Sequence, residues 1–180
     1  MTTTLTRAAT VDDFTGRTLE GVAYRYERPS RVSDDHFRTN YFEEIMKRAD
    51  AKTIGDRPSF PLHRLHDRDV DPIGDVTFHH SDTEDALLFV ATVNRSDAGD
   101  ELLEDEGWRD VSVGFKPLRN SFRQSPHYGK VVQRREIKIV ELSVAPTGTG
   151  LHKGAEITVV RAAEHSTPLL DHYTRRARLL

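Results

Sequence analysis

The segment at residues 131–145 reads VVQRREIKIVELSVA and carries the most apolar strand pattern in the chain. It predicts an extended strand with apolar side chains on both faces, Ile137 and Ile139 on one and Val140, Leu142 and Val144 on the other. A strand with two apolar faces lies in the centre of a sheet or in the wall of a barrel. The segment therefore predicts a β-rich core around it.

Shorter strand patterns precede this segment. Each is bounded by Asp, Gly, Pro or Ser residues that favour turns, and their spacing predicts an antiparallel meander. The predicted strands are residues 19–26, 58–65, 73–78, 87–93 and 111–115. Together these patterns predict a mainly β fold with a few helices, of the α+β class.

Two short helices are predicted between the strands. Asn40 and Glu43 are placed like a capping box at the start of the first helix. Its apolar positions fall at helical spacing: Phe42, Ile45, Met46 and Ala49. Ser96 is the predicted N-cap of the second helix, which continues to Asp105 and is ended by Gly107.

The length of 180 residues fits one domain with loose ends. Residues 1–17 are Thr-rich and aperiodic, which predicts a flexible N-terminal arm. Residues 18–160 form the predicted domain, within which residues 29–38 are polar turn material. Residues 161–180 mix Arg, His and Leu without a stable period, which predicts a flexible C-terminal tail.

Composition limits the chemistry and the partners. The net charge is −3 with acids and bases interspersed, which disfavours nucleic acid and anionic membranes as partners. Neither a signal peptide nor a membrane-spanning segment is predicted. The chain has no cysteine, so disulfides, thiolate metal sites and a cysteine nucleophile are excluded. Any catalysis must therefore use Ser, His and carboxylate side chains.

His66 ends an apolar strand pattern and is followed by an Asp-rich turn. A partly solvated imidazole in such a place is suited to act as a general base. The alternative from this segment alone is an ordinary surface or capping histidine.

Ser112 lies in the short strand pattern DVSVGF at residues 110–115. Strand alternation places Ser112 and Gly114 on one face, where small side chains let a substrate backbone approach closely. A serine nucleophile needs such access and a neighbouring base. Taken alone, the segment favours an ordinary strand serine over a nucleophile.

Glu141 shares a strand face with Ile137 and Ile139. A buried carboxylate is costly without a partner, so we expect Glu141 to have one. One candidate is a histidine, because a carboxylate orients the histidine of a Ser-His-acid triad. The alternative is a glutamate at the rim that pairs with an arginine such as Arg134 or Arg135.

Histidine metal ligation is disfavoured. His63 and His66 stand three apart, and three-apart positions on a strand face opposite sides. His79 and His80 lie nearby, but the spacing of a helical His-Glu-x-x-His site is absent. We therefore predict neither a metal nor a cofactor.

Four short motifs in register resemble the caudovirus prohead serine protease family. They are Leu65-His66-Asp67, Pro72-Ile73-Gly74, Ser112-Val113-Gly114-Phe115 and Glu141-Leu142-Ser143-Val144. The resemblance covers roughly residues 19–147 and implies a closed or nearly closed antiparallel β-barrel similar to herpesvirus assemblin. It implies Ser112 as nucleophile, His66 as base and Glu141 as third residue. Asp67 is the substitute for Glu141 as third residue. Glu141 is preferred because Asp67 directly follows His66, and neighbours along a strand point to opposite faces.

The resemblance also implies a biological role. The expected activity is that of a serine endopeptidase that cleaves major capsid protein or scaffold segments, and itself, inside the assembling prohead in the host cytoplasm. It leaves a homo-oligomer open. A non-catalytic barrel that serves as a scaffold or packaging adaptor is the alternative function, because a fold alone does not guarantee activity. A metal hydrolase is the third hypothesis.

Overall fold

Seven strands close into a barrel in the computed structural model, which describes residues 17–34, 39–150 and 152–161. The seven strands are β1 (Thr18–Arg25), β4 (Phe60–Arg64), β5 (Gly74–Ser81), β6 (Ala86–Val93), β7 (Asp110–Ser125), β8 (Gly129–Ala145) and β9 (Glu156–Arg161). Around the ring they follow the order β8, β4, β5, β6, β1, β9 and β7, and β7 pairs with β8 to complete it. The predicted mainly β fold and closed barrel are confirmed.

Two further strands, β2 (Ser30–Asp34) and β3 (Thr39–Ile45), extend the sheet outside the ring. β3 pairs with the first part of β8, and β2 pairs with β3. The second half of β7 and the first half of β8 form a long hairpin that runs on from the ring. These hairpin strands extend beyond the predicted boundary at Phe115, because residues 116–125 continue to pair with β8.

The barrel is not wholly antiparallel, so that part of the prediction is wrong. β4 runs parallel to the last part of β8, and β3 runs parallel to its first part. The meander from β4 through β5 to β6 is antiparallel, as its turn-rich spacing predicts. Short turns in the sequence predict antiparallel neighbours. No short turn joins β4 to β8, which lie far apart in the chain and pair only when the barrel closes.

The first predicted helix is wrong. Residues from Phe42 to Ile45 belong to β3, and the helix in this region is the later α1 (Ala51–Asp56). The strand is favoured because β3 gains pairing partners on both edges, and because two cationic side chains stabilise its buried carboxylates Glu43 and Glu44. Tertiary pairing thereby overrides the local helical spacing.

The second predicted helix is confirmed as α2 (Asp97–Glu104). Ser96 caps it by accepting a hydrogen bond from the backbone N–H of Gly99 at 3.2 Å. No helix in the described parts of the chain is long and apolar enough to cross a membrane.

Other boundaries differ from the sequence prediction. Residues 29–38 contain β2 rather than only turns, and β9 lies where the sequence pattern weakens after Gly150. The predicted arm and tail fall outside the described residues, except for Arg17 and Arg161. Arg17 pairs with Asp100 at 2.5 Å. The assignment of residues 1–17, 18–160 and 161–180 to arm, domain and tail stays a prediction.

Candidate active site

Three polar residues form a row across three neighbouring strands. Ser143 in β8 is the direct partner of Ser112 in β7 and of His63 in β4. Directly opposed residues project from the same face of a sheet. Leu142 and Val144, the neighbours of Ser143 along β8, project from the other face and belong to the core. The row is buried, since Ser112 and His63 are each 6% exposed.

His66 reaches this face through a tight turn. β4 ends at Arg64, and both Leu65 and His66 adopt the left-handed backbone region, with φ of 51° and 60°. The backbone N–H of Leu65 donates to Val144 O, and that of His66 donates to Ser143 Oγ at 3.0 Å. Non-glycine residues in this region are strained and concentrate at functional sites. The turn folds His66 back over the row of polar residues.

Glu141 is the partner of His66. It lies two residues before Ser143 in β8, and its side chain is 1% exposed. Oε1 of Glu141 lies 2.7 Å from Nδ1 of His66 and accepts a hydrogen bond from Arg68 Nη2 at 2.8 Å. Burial raises the pKa of Glu141, but the hydrogen bonds and charges of Arg68 and His66 outweigh it and hold the pKa below its ordinary value. Glu141 is therefore an anion beside His66 at neutral pH.

The expected partner of Glu141 exists, but it is neither of the predicted arginines. Arg134 pairs with Glu43, and Arg135 donates hydrogen bonds to Ser121 and Gln133. Both groups lie on the part of β8 that belongs to the long hairpin, away from Glu141. Neither Arg134 nor Arg135 pairs with Glu141, but the expected ion pair with an arginine exists: it is made by Arg68, beside the contact with His66.

Asp67, the substitute acid, is exposed and engaged locally. Its Oδ1 accepts a hydrogen bond from the backbone N–H of Asp69 at 3.1 Å. The backbone N–H of Asp67 donates to Arg64 O at 2.9 Å, which closes the turn that carries His66. The geometry therefore gives Asp67 a role in the turn and gives Glu141 the contact with His66.

Gly114 makes room for the Glu141 carboxylate. It is the cross-strand partner of Glu141. A Cβ atom on Gly114 would come within 2.5 Å of Glu141 Cγ, nearer still to Glu141 Oε1, and within 2.8 Å of Arg68 Nη2. The glycine in the motif SVGF thus lets the carboxylate lie across the backbone of β7.

Ser112 and His66 meet through Ser143. Within the described residues no hydrogen bond joins the Ser112 and His66 side chains, whereas Ser143 is the strand partner of Ser112 and accepts from the His66 backbone. In proteins without bound substrate, hydrogen bonds between catalytic groups are often long and tighten only in the reacting complex. The three predicted site residues therefore share one face of the barrel, with direct contact between two of them.

His63 is the residue that sequence reasoning missed. Its Nε2 lies 4.0 Å from Oε2 of Glu141, so His63 and His66 approach the two oxygens of one carboxylate. The prediction that these histidines face opposite sides assumed one continuous strand, but the strand ends at Arg64 and the turn reverses the chain. A signal was available in the sequence, where His63 stands inside the strand pattern of residues 58–65, two residues before its end.

A barrel that carries a serine, a histidine and a buried carboxylate on one face has the groups of a serine hydrolase. The chain belongs to the caudovirus prohead serine protease family, because the model of that family matches residues 4–168. The resemblance noted in the sequence is thereby confirmed. The family acts in the assembling phage capsid in the host cell, which implies association with capsid proteins. No curated protein and no solved structure matches the chain significantly.

Proposed function

We propose that the chain is an active serine endopeptidase with Ser112 as nucleophile, His66 as general base and Glu141 as the residue that orients His66. The contact of 2.7 Å between His66 Nδ1 and Glu141 Oε1 carries this proposal. A carboxylate on Nδ1 fixes the tautomer in which Nε2 is free to accept a proton. The serine hydroxyl needs such a base because it is otherwise a weak nucleophile.

The reaction follows from these roles. Ser112 Oγ forms a bond to the substrate carbonyl carbon while its proton passes to His66 Nε2. The imidazolium then returns that proton to the leaving amine as the C–N bond breaks, which leaves an acyl-enzyme. Water attacks the ester carbon and gives a proton to His66, and the proton returns to Ser112 Oγ as the carboxylic acid product leaves. The anionic Glu141 stabilises the imidazolium in both halves.

Arg68 supports the anionic state of Glu141 in this proposal. It shares Oε1 with His66, and its side chain is 53% exposed, so it neutralises part of the buried charge from the solvent side. A carboxylate that accepts two charge-assisted hydrogen bonds stays ionised at neutral pH. Glu141 then acts as an acceptor towards His66 and not as a proton donor.

The substrates in this proposal are segments of the major capsid protein and of scaffold inside the prohead, together with the chain itself. Family membership supports this substrate class. Self-cleavage is assigned to residues 162–180, because their sequence lacks the periodicity of a packed element and chain ends of that kind are where proteases cut. A fold relationship to herpesvirus assemblin is part of the same proposal and follows from the resemblance of the motifs.

The first prediction is that Ser112→Ala and His66→Ala each abolish reaction with a labelled fluorophosphonate and cleavage of co-expressed capsid protein. Loss of a nucleophile or its base lowers the rate by at least about a thousandfold. Because the two residues act as a unit, the double variant should be little worse than either single variant. Gel fluorescence and intact-mass measurement follow both reactions.

Two exposed residues away from the site supply the controls. His79→Ala and His127→Ala should label and process like the wild type, since both side chains are exposed. Intact masses of wild type and Ser112→Ala after long incubation test self-cleavage, which is wrong if both keep the same C-terminus. Absence of labelling and of processing in the wild type would favour the non-catalytic adaptor. Loss of activity with chelator, together with an active Ser112→Ala, would favour the metal hydrolase.

A further inference from the structure

His63 occupies a buried position that the proposed reaction leaves without a role. It is 6% exposed and stands in β4 beside Ser143, in the row that ends at Ser112. Its Nε2 points towards Oε2 of Glu141 at 4.0 Å. The same carboxylate gives its other oxygen, Oε1, to His66 and Arg68. Two histidines therefore flank one carboxylate.

In the described part of the chain, His63 and Glu141 each have one buried side-chain atom without a hydrogen-bond partner. Among the described residues, Oε2 of Glu141 and Nδ1 of His63 are buried without a hydrogen-bond partner. A buried polar atom without a partner costs about 1–3 kcal/mol, so such atoms are rare in native proteins. The gap of 4.0 Å between Nε2 and Oε2 closes to hydrogen-bond distance with a side-chain shift of about 1 Å. That small movement satisfies Oε2.

We infer that His63 is a positioning residue for catalysis, which holds the Glu141 carboxylate by donating its Nε2–H to Oε2. With Oε2 held, the plane of the carboxylate is fixed and Oε1 stays directed at His66 Nδ1. Without His63, the carboxylate can rotate about its last bond towards Arg68, whose side chain reaches out to solvent. This inference rests on the proposed roles of Ser112, His66 and Glu141.

The alternative is that His63 only fills space in the wall of the barrel. Two substitutions separate the alternatives. His63→Leu keeps an apolar side chain of similar reach but removes the donor, and His63→Gln keeps an N–H group near the position of Nε2. A space-filling role predicts that leucine serves at least as well as glutamine, because burial then favours the apolar side chain. A positioning role predicts the reverse order.

The test measures the rate of fluorophosphonate labelling at several reagent concentrations. We expect His63→Leu to lower the maximal rate on the order of tenfold with little change in the half-saturating concentration, since a misplaced base costs rate and not binding. His63→Gln should stay within about threefold of the wild type. His152→Leu is the matched control, because His152 is also buried beside a carboxylate, with Nε2 3.7 Å from Glu43 Oε1 outside the site. It should label normally.

A second readout does not depend on turnover. The proton between His66 Nδ1 and Glu141 should give a low-field NMR signal, assigned by its loss in His66→Ala. We expect this signal to weaken or move in His63→Leu and to persist in His63→Gln. Thermal melting confirms that each variant is folded, and the glutamine variant remains informative if the leucine variant unfolds.

The outcomes distinguish a failure of the proposed function from a failure of the role of His63. If wild type fails to label, or Ser112→Ala still labels, the proposed function is wrong, and the NMR signal alone then decides whether His63 positions Glu141. If Ser112→Ala abolishes labelling while His63→Leu labels at the wild-type rate with an unchanged low-field signal, only the role of His63 is wrong. Equal losses in His63→Leu and His63→Gln would likewise overturn it.

Discussion

At the residue scale, Gly114 gives the sharpest test of the site geometry. The Glu141 carboxylate lies where a Cβ atom on residue 114 would be. We predict that Gly114→Ala lowers the labelling rate by about tenfold to a hundredfold, because displacing Glu141 by even 1 Å removes its contact with His66. The free energy of unfolding should fall as well, because the displaced Glu141 carboxylate is buried and loses part of its pairing with Arg68 and His66. Labelling kinetics and urea unfolding, measured on the same samples, check both expectations.

Gly55 provides the matched control for this glycine. It lies in α1, and a Cβ atom there would have no heavy atom within 4 Å. Gly55→Ala should therefore label like the wild type and gain up to about 1 kcal/mol of stability, from the higher helix propensity of alanine. Normal labelling by Gly114→Ala would show that the Glu141 carboxylate does not need its observed place.

Part of the site could be predicted from the sequence, and part could not. The strand alternation in DVSVGF placed Ser112 and Gly114 on one face, and the structure agrees because β7 is regular over those residues. The approach of His66 to Glu141 depends on positive φ values at Leu65 and His66. Leucine and histidine rarely adopt this conformation, so their identities give no signal of the reversal.

At the element scale, local spacing and pairing compete. Phe42 and Ile45 satisfy a helical period, yet β3 forms because two neighbouring strands complete its backbone hydrogen bonds. In the same way β9 was not predicted, since its closure of the ring depends on β1 and β7, far away in sequence. Ser96 and α2 were predicted correctly because a helix cap is a local interaction.

The long hairpin of β7 and β8 contains a like-charge pair that predicts a stabilising substitution. Lys116 and Lys138 are direct cross-strand partners, and both are exposed. Opposed like charges destabilise a sheet and opposite charges stabilise it. Lys138→Glu should therefore raise the free energy of unfolding by roughly 0.2–1 kcal/mol at low salt, with the gain shrinking as salt screens the pair. Urea titrations at two salt concentrations measure it.

The control for this substitution repeats the charge change elsewhere. Lys153→Glu alters the net charge equally at an exposed residue outside the hairpin. It should leave stability nearly unchanged. If Lys153→Glu stabilises the protein as much as Lys138→Glu does, the effect comes from net charge and the cross-strand explanation fails.

At the scale of the whole molecule, buried ion pairs join the outer strand β3 to the long hairpin of β7 and β8. Glu44 in β3 is almost fully buried and accepts two hydrogen bonds of 2.7 Å from Arg123 in β7, while Gln133 in β8 donates a third. The hydrogen bonds from Arg123, opposed by burial, lower the pKa of Glu44 below its ordinary value of 4.5. The folded protein therefore binds this proton less readily than the unfolded chain does.

This direction fixes the pH dependence of stability. A lowered folded-state pKa contributes stability that is complete above pH 4.5 and is lost as the pH falls through the folded value. We predict that Glu44→Gln lowers the free energy of unfolding at pH 7 by about 1–3 kcal/mol, towards the lower end because water reaches part of Arg123. The difference from the wild type should shrink between pH 5 and about pH 3. Urea unfolding across this range measures it.

Glu136 is the control carboxylate for the pH series. It pairs with the exposed Lys52 at 2.9 Å, and the hydrogen bond from Lys52 lowers its pKa. Surface pairs of this kind add little stability, so Glu136→Gln should change the curve only slightly. A constant difference between Glu44→Gln and the wild type from pH 7 to pH 3 would contradict the assigned role of Glu44.

The pairing of β1 with β9 affects how the protein folds during its synthesis. Thr158 in β9 donates a hydrogen bond to Glu20 O in β1 across 138 positions of the chain. A ribosome adding roughly 5–20 residues per second needs on the order of ten seconds to travel from one to the other. During that interval the nascent chain exposes the edge of β1 that β9 will cover, and the ring stays open between β1 and β7. A newly made copy can thus complete its barrel only after residue 161 has left the ribosome, and until then the open edge of β1 can pair with another chain.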